Sequence, residues 1–137
     1  WIKNTMRKLK YLGIVFAIGI VFALYISDFA YHLWIKDRVS IPFFVSVFVA
    51  IKAIIYVLFA PYVAFLNGVS KISLNLILVV IQTSFFIPLA LYLGNYLDLG
   101  IVGILIAQII IEIPLRISQP IQYYKIINNN ATGIWNK

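Results

Sequence analysis

Long apolar segments separated by short polar ones dominate the sequence, and this pattern predicts membrane-spanning helices. Four such segments run from about residue 11 to 31, 41 to 66, 72 to 93 and 101 to 120. A hydrocarbon core of about 30 Å needs about 20 helical residues, so each segment is long enough to cross it. Only helices satisfy their own backbone hydrogen bonds in lipid. We therefore expect an all-α integral membrane protein with four transmembrane helices in antiparallel hairpins.

Small residues and prolines within these segments predict where the helices touch and where they bend. Gly13 and Gly103 each have an alanine four residues further along, a spacing that lets two helices approach closely. Pro61 and Pro88 lack a backbone N–H, so each predicts a bend in its helix. These expectations concern packing, and they do not by themselves indicate a function.

The composition supports the membrane interpretation and excludes several other classes of protein. Of the 137 residues, 64% are hydrophobic and only 11% are charged, whereas a soluble domain is about a quarter charged. The net charge of +7 would suit a nucleic-acid partner, but the basic residues lie mostly at the ends of apolar segments. We therefore expect a lipid bilayer as the partner and no nucleic acid. The sequence has no cysteine, which excludes disulfides and thiolate metal sites.

The distribution of charge between the loops predicts the orientation of the helices. One side of the membrane receives seven basic residues, namely Lys3, Arg7, Lys8, Lys10, Lys71, Lys125 and Lys137. The other side receives Lys36 and Arg38 together with three aspartates. Since basic residues collect on the cytoplasmic side, both ends of the chain are expected in the cytoplasm, with residues 121–137 as an interfacial or cytoplasmic tail.

No catalytic, cofactor-binding or metal-binding residues are predicted, because the sequence has no phosphate-binding glycine loop, nucleophile elbow or paired histidines. An enzyme is therefore not expected. The candidates for function are polar side chains inside the apolar segments. These are Lys52, Asn75, Gln82, Gln108, Glu112 and Arg116. They are candidates for lining a substrate cavity.

Each candidate also has a purely structural interpretation. Lys52, near the middle of its segment, either pairs with a buried acid such as Glu112 or lines a hydrophilic lumen that attracts an anionic substrate. Glu112 and Arg116 are four residues apart in the order that favours a local ion pair, with the arginine reaching outward to the cytoplasmic surface. The three amides are more typical of hydrogen bonds between helices than of ligand contacts.

Several short motifs resemble the C-terminal part of bacterial polysaccharide (O-antigen type) flippases, in the multidrug/oligosaccharidyl-lipid/polysaccharide exporter superfamily. The similar segments are residues 32–35 (HLWI), 67–72 (NGVSKI), 99–104 (LGIVGI) and the ending at 122–137. Together they extend the resemblance over nearly the whole chain. The sequence departs from the family pattern at Lys36 and Ser70, where glycine is usual.

The resemblance implies a transporter of twelve to fourteen helices that flips an undecaprenyl-pyrophosphate-linked oligosaccharide across the inner membrane. The chain, which starts at Trp1, would then be a fragment, with missing N-terminal helices of the same protein as partners. A cationic central cavity is implied, and Lys52 and Arg116 are the residues we would place there. Two alternatives stay open: a cation-coupled drug exporter of the same superfamily, and a stand-alone four-helix membrane scaffold.

Overall fold

The computed structural model describes residues 1–35 and 41–137, and these residues form helices joined by short connections. The helices in chain order are α1 (Ile2–Tyr25), α2 (Ser27–Ile35), α3 (Phe43–Gly68), α4 (Ser73–Leu91) and α5 (Gly100–Ile127). A π-helical turn (Tyr92–Tyr96) continues α4, and a 3-10 turn (Gly133–Asn136) lies near the end of the chain. The predicted polar turn with Lys36 and Arg38 lies outside the described residues.

Four helices among the described residues are long and apolar enough to cross a membrane, which confirms the prediction of a multi-pass, all-helical chain. They are α1, α3, α5 and the continuous segment Ser73–Tyr96, which joins α4 to the π-helical turn. No more than 11% of the apolar stretch of any of them is buried inside the protein. Such a large apolar surface would drive aggregation in water, whereas a bilayer or further apolar helices would cover it.

The ends of the helices differ from those expected from hydropathy. The first helix starts at Ile2 instead of about residue 11, because its lysines and arginine form helices as readily as they mark a membrane surface. It ends at Tyr25, and α2 follows after the single residue Ile26. At the other end of the chain, α5 runs to Ile127, seven residues past the expected end at 120. Hydropathy locates the lipid-facing part of a helix, and these extensions lie beyond it.

The chain divides into two compact units, residues 1–58 and 59–137, so that α3 contributes its first part to one and its last part to the other. In the first unit, Gly13 of α1 is buried against α3, as its spacing predicts. A Cβ atom built at Gly13 would lie 3.4 Å from the carbonyl oxygen of Val57. In the same unit, the buried Ser46 hydroxyl donates a hydrogen bond of 3.2 Å to the Tyr31 hydroxyl.

In the second unit, α5 packs along α4, and at Gly103 it closely approaches the π-helical turn that continues α4. A Cβ atom built there would lie 2.6 Å from both the carbonyl carbon and the oxygen of Leu93, a distance that no real side chain tolerates. Ala107, one turn further, is fully buried. The small pair therefore makes the close contact that the sequence predicts. A π-helical turn follows α4, in which the Leu97 N–H donates to the Tyr92 carbonyl at 3.0 Å. Pro61 and Pro88 lie inside α3 and α4, and the bends expected there stay predictions.

Candidate functional site

Lys52 is the candidate that lies in the first unit, near the middle of the 26-residue helix α3. Its side chain is partly buried, although the residues around it in the sequence are almost all apolar. An ammonium group at this depth costs at least about 2.5 kcal/mol to insert into a bilayer, so its position requires a polar environment. The five other candidates lie in the second unit, on α4 and α5.

The predicted ion pair on α5 is present. Arg116 donates to a single carboxylate oxygen of Glu112 through Nη2 at 2.7 Å and through Nε at 3.2 Å. The arginine side chain is 13% exposed and the glutamate 25% exposed. The guanidinium group is therefore turned towards Glu112, and its reach to the cytoplasmic surface stays a prediction. Because the pair is neutral overall, Arg116 contributes less positive charge to a cavity than its sequence position suggests.

Two amides on α4 have buried polar atoms that find no hydrogen-bond partner among the described residues. These atoms are Oδ1 of Asn75 and Nε2 of Gln82. Gln108 is partly buried on α5, one turn before Glu112. A buried polar atom without a partner costs about 1–3 kcal/mol, so Asn75 and Gln82 are poorly explained as hydrogen-bonded glue inside this unit. Their free atoms suit a contact with water, with a further helix or with a polar ligand.

The sequence analysis missed two buried glutamines near the end of α5. Gln119 is 2% exposed and Gln122 is completely buried. The Gln122 side-chain NH₂ group donates to two backbone carbonyls, that of Lys71 at 3.1 Å and that of Trp135 at 3.2 Å. A signal was present, because the polar spacing of three to four residues that starts at Gln108 continues through both glutamines. Of the two, Gln122 lies beyond the expected end of the helix at residue 120.

The last ten residues, 128–137, fold back towards the start of α4, and we call them the C-terminal strap. Lys71 Nζ donates to the Asn136 carbonyl at 2.6 Å, and the Ser73 N–H donates to the Lys137 carbonyl at 3.3 Å. Lys125 Nζ lies 4.3 Å from the centroid of the Trp135 ring, which is the geometry of a cation–π contact. The predicted polar tail therefore has a defined structure, although its position relative to a membrane stays a prediction.

Aromatic packing joins the last turns of α3 to the same end of α5. The Tyr123 ring meets the Tyr62 ring edge-on at 5.5 Å between centroids, and the Phe65 ring at 4.9 Å. Tyr62 and Tyr123 are both buried, and Leu66 between them and the turn is completely buried. Tyr123 of this cluster is the residue that follows Gln122 on α5, so packed rings and buried hydrogen bonds occur at the same end of the helix.

The chemistry available to these residues is binding through charge and hydrogen bonds. In the part of the chain that the structure describes, no three histidine, aspartate or glutamate side chains are grouped closely enough to hold a metal ion. In the first unit, a lysine inside an apolar helix can receive an anionic ligand. In the second unit, the buried amides can form hydrogen bonds with a polar ligand. Compared with known proteins, the chain matches no family model, no curated protein and no solved structure.

Proposed function

We propose that the chain is part of a membrane transporter that flips an undecaprenyl-pyrophosphate-linked oligosaccharide across a bacterial inner membrane for polysaccharide export. The observation that carries this proposal is Lys52, a basic residue near the middle of a 26-residue apolar helix. Ionisable residues inside membrane spans are rare and mark the pathways of substrates and ions. The resemblance of the short motifs to polysaccharide flippases supplies the substrate class.

The mechanism would use charge compensation without forming a covalent bond. A pyrophosphate loses its hydration as it enters the bilayer, and a cation at the depth of Lys52 offsets part of that loss. The free amide atoms of Asn75 and Gln82 would provide hydrogen bonds to the polar part of the substrate. Arg116, which is bound to Glu112, would serve mainly to keep that carboxylate from repelling the anion.

The proposed arrangement is a set of antiparallel hairpins with both ends of the chain in the cytoplasm. Contacts at the two ends of the α4–α5 pair support it. Gln122, late in α5, reaches Lys71 just before α4, and Gly103, early in α5, meets Leu93 just after α4. The excess of basic residues at the chain ends and at the α3–α4 turn supports the orientation. The sparse burial of all four spans suits a fragment of a larger bundle of twelve to fourteen helices.

The alternative of a cation-coupled drug exporter needs a membrane carboxylate that is free to exchange a cation or a proton. Glu112 is the acid inside the described spans, and it is held by Arg116 at 2.7 Å. This pairing favours the flippase over the exporter. A stand-alone scaffold would give no reason for a lysine at the depth of Lys52, since small residues and amides are sufficient for helix packing.

The test is Lys52→Ala in the full-length protein, in cells that depend on it for surface polysaccharide. We expect surface polymer to fall about tenfold or more, the effect of losing about 1.4 kcal/mol of substrate stabilisation. Membrane abundance of the protein should not change. Lys52→Arg should keep much of the activity because it keeps the charge, and Lys8→Ala, which removes an exposed cation outside the apolar stretch, is the matched control. Normal polymer in Lys52→Ala cells would overturn the cavity role.

A further inference from the structure

The C-terminal strap brings three lysines from distant parts of the sequence to one end of the second unit. Lys71 follows α3 and touches the strap at Asn136, whereas Lys125 lies in the last turn of α5 and covers Trp135. Lys137 belongs to the strap itself, and its carbonyl accepts the Ser73 N–H. The ammonium groups of Lys71 and Lys125 thus contact the strap directly, whereas Lys137 is held by its backbone.

The strap folds against the helix ends because hydrogen bonds form between its backbone carbonyls and donors at those ends. The residue before α4 is Ile72, which has no side-chain oxygen to cap the helix, and the Lys137 carbonyl takes over part of that role. The carbonyls of Trp135 and Asn136 find donors in Gln122 and Lys71. Since Gln122 is completely buried, water cannot easily replace its hydrogen bonds.

The surface formed by these lysines has a strong net positive charge. The sequence contains no aspartate or glutamate between residues 59 and 75 or between residues 113 and 137, the segments that build this end of the unit. The Lys71 ammonium group uses one of its three N–H donors on Asn136. The remaining N–H donors of Lys71, together with the ammonium groups of Lys125 and Lys137, can donate hydrogen bonds to the oxygens of an anion.

Exposed apolar side chains surround the same surface. Ile72, Ile121 and Ile134 are 38–41% exposed, and Tyr124 is 49% exposed. The surface also lies where one candidate membrane-spanning helix begins and another ends. If these helices cross a bilayer, this is the level expected for the lipid headgroups. A combination of lysines, a tyrosine and isoleucines at that depth is typical of a contact with the membrane surface and is less suited to a small anion in bulk water.

We propose that the strap organises Lys71, Lys125 and Lys137 into a binding surface for the headgroups of anionic phospholipids. The negative charge of such headgroups complements a surface without aspartate or glutamate side chains, and the exposed isoleucines and Tyr124 would extend into the upper part of the acyl chains. Lipid binding at this surface would hold the strap end of α4 and α5 at a fixed depth. The proposal requires a membrane protein but does not depend on which substrate is transported.

The test uses the purified full-length protein in neutral detergent, titrated with phosphatidylglycerol as the anionic probe and phosphatidylcholine as the neutral one. Binding is followed by native mass spectrometry, with thermal unfolding as a second readout. We expect the variant Lys71→Gln/Lys125→Gln/Lys137→Gln to bind phosphatidylglycerol about fivefold more weakly for each lysine removed. Its binding of phosphatidylcholine should not change. Equal phosphatidylglycerol binding by the variant and the native protein would overturn the proposal.

A double-mutant cycle separates the organising role of the strap from charge alone. Gln122→Ala keeps all three lysines but removes the buried hydrogen bonds of the strap, so it should weaken phosphatidylglycerol binding in the native background. It should add nothing in the triple-lysine variant, where no organised surface remains. In a Lys3→Gln/Lys8→Gln/Lys10→Gln variant, which has the same charge change elsewhere, Gln122→Ala should have its full effect. Purely additive effects in both backgrounds would overturn the role of the strap.

Two further measurements control the lipid-binding experiment, one for poor folding of the variant and one for binding of a soluble anion. If the triple-lysine variant does not purify as a single species, Lys125→Gln/Lys137→Gln leaves the hydrogen bond of Lys71 intact and should give about two-thirds of the effect on a logarithmic scale. Inorganic phosphate, added to the native protein in neutral lipid, should not raise its unfolding temperature. A rise of the size that phosphatidylglycerol gives would assign the surface to a soluble anion and overturn the lipid proposal.

Discussion

The two ends of the α4–α5 pair are held together by opposite means. At the end near Gly103, the helices touch because a side chain is missing, and a Cβ atom there would lie 2.6 Å from the backbone of Leu93. At the strap end, the contact depends on a large buried side chain, Gln122, which donates two hydrogen bonds to backbone carbonyls. The first contact depends on steric fit, and the second on hydrogen bonds that water could replace if the strap opened.

The difference matters because steric and hydrogen-bonded contacts respond differently to their surroundings. A close backbone contact in lipid gains van der Waals packing and has no alternative partner, so it is expected to persist when the surroundings of the helices change. Hydrogen bonds between membrane helices contribute only about 0.6 kcal/mol on average, so the strap end is the more easily opened. Between these ends, Asn75 and Gln82 each have a buried polar atom that finds no hydrogen-bond partner among the described residues. Neither a close backbone contact nor a hydrogen bond accounts for these two atoms.

The largest effect is expected from Gly103→Ala, which places a methyl group where the Leu93 backbone lies. The helices must separate or shift, and we expect a loss of about 3 kcal/mol in the free energy of unfolding. Unfolding of the full-length protein by SDS titration measures it. Gly19→Ala is the matched control, since a Cβ atom there meets nothing within 4 Å. Equal stability of the two variants would show that the α4–α5 contact is not set by steric fit.

The strap end is tested by Gln122→Leu, which keeps the volume of the side chain but removes both donors. We expect a loss of about 2 kcal/mol, since the carbonyls of Lys71 and Trp135 lose a buried partner. Gln119→Leu is the matched control. Its Oε1 atom is buried without a hydrogen-bond partner among the described residues, so this substitution should be neutral or stabilising.

Protease cleavage in the strap provides a second measurement for the same pair of variants. Gln122→Leu should make residues 128–137 more sensitive to cleavage, whereas Gln119→Leu should leave them protected. If both variants are cleaved at the native rate, the strap is held mainly by the contacts of Lys71 and Lys125, and the hydrogen bonds of Gln122 are secondary.

The steric end could be predicted from the sequence, whereas the strap end could not. Residues four apart lie on the same face of a helix. The close contact at Gly103 and the ion pair at Glu112 both follow from this local geometry. The four apolar spans were predictable for a similar reason, since lipid requires a minimum length of apolar helix. The pairing of Arg116 with Glu112 was predictable from their spacing, whereas the reach of Arg116 to the membrane surface stays a prediction.

The strap depends on long-range contacts with backbone atoms, and these leave little trace in the sequence. Gln122 and Lys71 are 51 residues apart, and the acceptors of the strap are carbonyls that every residue possesses. Lys71 and Lys125 looked like signals of membrane orientation, and nothing local distinguishes a lysine in water from one that covers Trp135. The sequence predicted that the candidate site residues lie on helices. It did not predict that Asn75 and Gln82 would each have a buried atom without a hydrogen-bond partner among the described residues.

The smallest effect is expected in the turn that the strap covers. Ser70 has a φ of 56°, in the left-handed region that costs a residue with a Cβ atom about 1 kcal/mol or more, and it stands where the resembling family usually has glycine. Ser70→Gly should relieve that strain. Because glycine also gains more freedom in the unfolded chain, the net stabilisation should be only about 0.5 kcal/mol.

The Ser70→Gly measurement also sharpens the comparison between the two ends. Combined with Gln122→Leu, it reports whether the turn and the strap act as one unit. If the strap holds the turn in its left-handed conformation, the benefit of glycine should be larger when Gln122 is replaced, because the strained turn then has less support. Independent sites would give additive changes within about 0.5 kcal/mol. Additivity would mean that the α3–α4 turn forms without the strap, leaving Lys71 correctly placed even when the strap is open.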